Sequence, residues 1–115
     1  MPLANTQVKL NPTEFHILLA LASGNLHGYG IMQAVERASG GVFRLGPGTL
    51  YGAIKRMLRA KWIEECRAAG NGGSVDPRRR CDYRLTRAGR IAASEEARRL
   101  ADLVLTAAAH GLVSI

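Results

Sequence analysis

The chain is poor in aromatic residues, and those it has stop early: one Trp, three Tyr and two Phe, 5% of the sequence, with none after Tyr83. The chain after Tyr83 therefore offers no Phe, Tyr or Trp on which a planar ligand could stack. Cysteines number only two, Cys66 and Cys81, too few for a disulfide framework. His16, His27 and His110 share no ligand spacing with one another or with the cysteines, so no metal site is expected. Acidic residues are also scarce, 9 against 16 Lys and Arg. Ser and His are not arranged as a nucleophile pair, and no phosphate-binding glycine motif occurs. Together these absences argue against an enzyme and against a cofactor. No apolar run reaches the roughly 18 residues of a membrane span. The stretch "FHILLALAS" is too short, and it lacks the basic flank and cleavage pattern of a secretory signal. A cytoplasmic protein with no membrane partner is the expectation. No internal repeat or low-complexity tract is present.

What remains is an ordinary folding composition. Of 115 residues, 47% are hydrophobic and 22% charged, which fits one globular domain. A chain this short buries only about 65% of its unfolded surface, so an oligomer would add stability. The net charge is +7, and it is unevenly spread. Residues 1–46 carry 3 basic and 2 acidic side chains, residues 47–85 carry 9 and 4, and residues 86–115 carry 4 and 3. The excess in the middle third is either a solvated basic surface or a patch facing a polyanion.

The order of elements follows from caps and periodicity. In "LNPTEFHILLALASG", Asn11 as N-cap, Pro12 at the first position and Glu14 three residues after Asn11 announce a helix. Phe15, Leu18, Leu19 and Ala22 are read as its core stripe, with Gly24 closing it. "HGYGIMQAVERASGG" gives a second helix with Ile31, Ala34, Val35 and Ala38 inward. "VFRL" is at most one small strand. A third helix runs from about Pro47 to Ala60. "WIEECRA" and "CDYRL" are short strands around the exposed, glycine-rich and basic loop "AGNGGSVDPRR". A long alanine-rich helix starts after Thr86. This order is that of a mainly α (α+β) winged helix-turn-helix with a two-stranded wing. Residues 1–85 would form the DNA-binding domain and residues 86–115 a C-terminal dimerisation helix packed with it as one unit.

Projected on a wheel, the third helix has two unlike sides. Leu50, Ala53, Ile54, Met57 and Leu58 face the core. Gly48, Thr49, Gly52, Lys55, Arg56 and Arg59 lie opposite, with Tyr51 at the border, and no acidic residue occurs between Arg44 and Lys61. A glycine inside a helix costs about 1 kcal/mol relative to alanine. That cost makes sense if the basic side must bring its backbone close to a bulky partner. A DNA major groove, about 12 Å wide, just admits a helix with its side chains.

The stretches "LNPTEFHILLALASGNLHGYGIMQAVE", "GPGTLYGAIKRMLRAKWIEE" and "DYRLTRAG", in this order and spacing, resemble the PadR family of bacterial transcriptional regulators over residues 9–105. The resemblance implies a homodimeric winged-helix protein that binds double-stranded operator DNA. Such proteins are usually repressors, and some are released by small-molecule effectors such as phenolic acids or drugs. It places Tyr29 and the Thr49–Tyr51 stretch at DNA-facing positions, followed along the recognition helix by Lys55, Arg56 and Arg59. Arg78, Arg79 and Arg80 would be the basic residues of the wing. Family members usually have proline at the position of Gly52 and glycine at that of Lys61. The second difference removes the usual left-handed stop of a helix.

Several residues admit two uses. Tyr29 suits a phosphate contact or a boundary aromatic; for Tyr51 the phosphate contact is preferred. Lys55 and Arg59 point most directly outward and suit either a guanine edge or a phosphate. "DPRRR" is a solvated turn or a wing tip at the minor groove. In the hairpin, pairing Ile63 with Leu85 sets Glu64 against Arg84, which avoids a clash of like charges and puts the two cysteines on opposite faces. Two free thiols follow, with redox sensing as the lesser reading.

In the last helix Ala93, Ala97, Leu100, Val104 and Ala108 form a stripe, widened by Ile91, Leu103 and Leu105. Ala101 adjoins it. Apolar surface that broad asks for cover on two sides, one of them a second protomer. Trp62 or the apolar cleft between protomers is left as the place for an effector. The competing function is a winged-helix protein-interaction module without specific DNA binding.

Overall fold

A computed structural model describes residues 10–67 and 81–115. Along the chain lie α1 (Pro12–Ala22), α2 (Gly28–Ala38), α3 (Pro47–Arg59), β1 (Ile63–Arg67), β2 (Cys81–Leu85) and α4 (Arg87–Ala109). The strands pair antiparallel, with Ile63 opposite Leu85 and Glu64 opposite Arg84, the register that the charges favour. In the same register Cys66 pairs with Asp82 and Arg67 with Cys81. Cys66 is a free thiol.

The first helix begins as its sequence dictates. The Glu14 backbone N–H donates to Asn11 Oδ1 at 2.8 Å, and the Asn11 backbone N–H donates to Glu14 Oε1 at 3.1 Å. Its core face, however, is Ile17, Leu18 and Leu21. Of the stripe read from the sequence only Leu18 is buried. Phe15 is half-buried, and Leu19 and Ala22 are exposed. Bulky apolar residues stand at successive positions of this helix, so two overlapping stripes were available. The one that packs holds positions 14, 17, 18 and 21 on one face, and the buried Glu14 carboxylate on it is answered by Arg56. Likewise α2 buries Ile31 and Val35, leaves Ala34 half-buried and exposes Ala38.

The core joins these side chains to Leu45, to Leu50, Ala53, Ile54 and Met57 of α3, and to Trp62, Ile63 and Tyr83 of the hairpin. "VFRL" forms no strand. Leu45 drops into the core, and Phe43 stacks on His16 with ring centroids 4.2 Å apart. The outer side of β2 is joined instead by Leu26, in the link between α1 and α2. Tyr83 N–H donates to the Leu26 carbonyl at 2.8 Å, and Leu26 N–H donates back at 3.2 Å.

Lys61 keeps the usual helix stop without a glycine. Its φ is +65°, its N–H donates to the Leu58 carbonyl at 3.1 Å, and the next N–H, of Trp62, donates to the Met57 carbonyl at 3.0 Å. That is the Schellman pattern. Gly40 after α2 and Gly111 after α4 do the same with φ of +65° and +76°.

The start of α4 is fastened to the end of the α3–β1 turn. Thr86 caps the helix by accepting from Gly89 N–H at 3.0 Å, and its hydroxyl lies 2.7 and 2.9 Å from the carbonyl oxygens of Lys61 and Trp62. A Cβ on Gly89 would overlap the Trp62 carbonyl oxygen and stand 2.8 Å from its carbon. Beyond that anchor α4 packs on α1, yet Gly89 is the one buried residue of its 23.

Candidate nucleic-acid interface

The third helix turns Leu50, Ala53, Ile54 and Met57 inward. With those four fixed, Gly48, Thr49, Gly52, Lys55, Arg56 and Arg59 all come to the solvent side and are exposed. The sequence wheel thus maps directly onto the structure. A Cβ placed on Gly46, Gly48 or Gly52 would meet no atom within 4 Å. The fold itself does not require these positions to be bare.

The beginning of α3 differs from that of the other helices. Asn11, His27 and Thr86 each offer a side-chain acceptor to the first turn of α1, α2 and α4, whereas Gly46 offers none to α3. Pro47 removes one of the four unpaired N–H groups of a helix start. Those of Gly48 and Thr49 have no partner among the described residues and lie at the positive end of the helix dipole, where an anion is favoured.

The basic residues of the helix separate into two kinds. Lys55 and Arg59 form no ion pair among the described residues. Arg56 is engaged: its Nε donates to Glu14 Oε2 at 3.1 Å, with the Glu14 side chain 8% exposed and that of Arg56 52%. It compensates a buried carboxylate that also caps α1. Sequence reasoning missed this role, because nothing local in the chain links positions 14 and 56.

Both tyrosines are exposed. Tyr29, in the first turn of α2, is 54% exposed, its ring 6.5 Å from and nearly parallel to that of His27, so it is no core aromatic. Tyr51 is 47% exposed, with its hydroxyl against Gly28. His27 caps α2 through Nδ1, which accepts from Gly30 N–H at 3.0 Å. Arg78, Arg79 and Arg80 lie outside the described residues.

Elsewhere, Arg84 pairs with Glu64 at 2.6 Å, which raises the guanidinium's pKa through the hydrogen bond. Burial, followed by the Asp82 carboxylate, pushes the Cys66 thiol up. A thiol held protonated is a poor nucleophile, which weakens the redox reading. Trp62 is buried and is closed to a stacking ligand. Along α4, Ile91, Ala97, Ala101, Val104 and Leu105 are exposed, and Leu100 and Ala108 half-buried. No helix among the described residues is long and apolar enough to cross a membrane, and no group of three potential metal ligands occurs among them.

Comparison with known proteins gives the family and the fold. The transcriptional regulator PadR-like family matches residues 17–95. The transcriptional regulator Rv3488 of Mycobacterium tuberculosis is 36% identical over 89 residues, 76% of this chain and 75% of that protein. An uncharacterised 37.1 kDa protein in transposon TN4556 of Streptomyces fradiae is 38% identical over 96 residues. The match covers 84% of this chain and only 25% of that relative's length. Among solved structures, a PadR family transcription regulator of Clostridium difficile superposes with a TM-score of 0.70 at 22% identity, covering 87% of this chain and 98% of the other. The fold is thus that of PadR winged-helix regulators. With the family matched across most of its length, from the middle of α1 into α4, this chain belongs to the PadR-like family of transcriptional regulators.

Proposed function

We propose that the protein is a homodimeric, sequence-specific DNA-binding repressor that seats α3 in the major groove of a palindromic operator. The observation that carries this reading is the solvent side of α3, basic, exposed and free of bulk at positions where the protein's own packing makes no such demand. Lys55 and Arg59 are the base-edge or phosphate contacts. Gly48, Thr49 and Gly52 allow close approach. The unpaired first-turn N–H groups, Tyr51 and Tyr29 meet phosphates. Arg56 divides its charge between Glu14 and the DNA, and Arg78, Arg79 and Arg80 of the wing reach the flanking groove or backbone.

Residues 1–85 act as the DNA-binding part and residues 86–115 as the dimerisation helix. The exposure of Ile91, Val104 and Leu105 along a helix with a single buried residue supports pairing through Ile91, Ala97, Leu100, Ala101, Val104, Leu105 and Ala108. Two recognition helices related by a two-fold axis read half-sites about 34 Å apart. With Trp62 buried, the cleft between paired α4 helices is the place for a small-molecule effector. Selection of duplexes from a random pool by the purified protein tests the reading. Recovery of a palindrome with half-sites one helical turn apart is expected. Duplexes without a shared sequence, or binding that shows no preference at any salt concentration, would favour a protein-interaction module instead.

A further inference from the structure

The first turn of α2 contains a glycine that neither backbone nor cap explains. Gly28 is the first residue of α2, after the N-cap His27, and its φ is not in the left-handed region. The side-chain cap is supplied next door, by His27 to Gly30. Any L-residue could take this conformation, and alanine would favour the helix more. What excludes a side chain is a neighbour from another element. A Cβ on Gly28 would overlap the Tyr51 hydroxyl and stand 2.8 Å from Tyr51 Cζ and 3.2 Å from Cε1. Gly28 is buried while Tyr51 is 47% exposed. The phenol thus lies with one side against the start of α2 and the other toward solvent, on the border of the α3 surface.

We infer that Gly28 is a positioning residue for DNA binding: by lacking a side chain it seats the Tyr51 phenol at the start of α2, where the hydroxyl meets a backbone phosphate. This rests on the reading of α3 as the recognition helix. An aromatic ring turns about only two side-chain torsions, so a stop on one side fixes where its hydroxyl is presented. Removing that stop's vacancy does not delete a DNA contact directly. It swings the ring away from the position where the contact is made.

The test is a double-mutant cycle on the full chain: the wild type, Gly28→Ala, Tyr51→Ala and the double variant. Thermal unfolding and affinity for a duplex recovered by selection are measured for all four. Gly28→Ala is expected to lower the melting temperature when Tyr51 is present. In the Tyr51→Ala background it should leave the melting temperature unchanged or raise it, since only helix propensity then remains. In binding, Gly28→Ala is expected to weaken the complex about fivefold or more with Tyr51 present and less than about twofold without it. A duplex with a single methylphosphonate at the contacted phosphate should lose affinity for the wild type and show little further loss for Gly28→Ala. Equal losses in both backgrounds, or no loss in either, would overturn the inference. If Gly28→Ala fails to fold, the double variant must fold for the inference to stand. Should the wild type itself bind no duplex selectively, the DNA reading falls and takes the inference with it, and the unfolding cycle still decides whether the Gly28–Tyr51 contact exists.

Discussion

Gly89, at the start of α4, and Gly52, in the second turn of α3, lack the same side chain for opposite reasons. At Gly89 an added Cβ would run into the Trp62 carbonyl, while at Gly52 it would meet nothing. The first glycine serves the fold, because it lets α4 lie against the α3–β1 turn while Thr86 caps it. The second lies on an exposed basic side and serves no contact within the described residues. A residue that weakens a helix without helping the protein pack points to something outside the protein. The difference also separates stability from binding, and mutations should respect the separation.

The largest effect is expected at the packed end. Gly89→Ala forces α4 away from Trp62 and should destabilise the protein by about 3 kcal/mol, as overpacking against a rigid backbone does. Chemical denaturation measures it, and a loss below about 1 kcal/mol would mean that α4 is less tightly seated than described. On the open side, Arg59→Ala should reduce operator affinity by about 1–3 kcal/mol if the guanidinium reads a base, with an unfolding midpoint within error of the wild type. Arg56→Ala bridges the two regions. It leaves the Glu14 carboxylate without its cation and should lower stability by about 1–2 kcal/mol, an effect that Arg59→Ala must not share. Smaller still is Lys61→Gly. It relieves a left-handed residue of its side chain and should raise stability by about 1 kcal/mol or less; a fall in stability would indicate that the Lys61 side chain has a partner.

The sequence made the open side of α3 legible and the packed contacts mostly not. Caps, turn glycines and a period of 3.6 are local signals, and they delivered the element order, the Asn11–Glu14 box and the wheel of α3. The hairpin register was legible because only one pairing sets Glu64 against Arg84. The phase of α1 was not: "FHILLALA" has one polar residue, His16, so overlapping apolar stripes were open, and the one that packs carries the buried Glu14. The Leu26–Tyr83 pair involves a single residue on one side and has no pattern to read. Arg56 with Glu14, Gly28 with Tyr51 and Gly89 with Trp62 join positions far apart in the chain, so they appear only once the helices are packed. Lys61 carries the opposite lesson, since the chain takes the left-handed stop even without the residue best suited to it.

Gly52→Leu is the most direct test of the claim that α3 enters DNA. Position 52 is exposed, a Cβ there meets nothing within 4 Å, and leucine has a higher helix propensity than glycine, so stability should rise by about 0.5–1 kcal/mol. Affinity for the selected duplex should nevertheless fall at least tenfold, because the added bulk lies where the helix must approach the groove. A more stable variant that binds the duplex as tightly as the wild type would contradict the account.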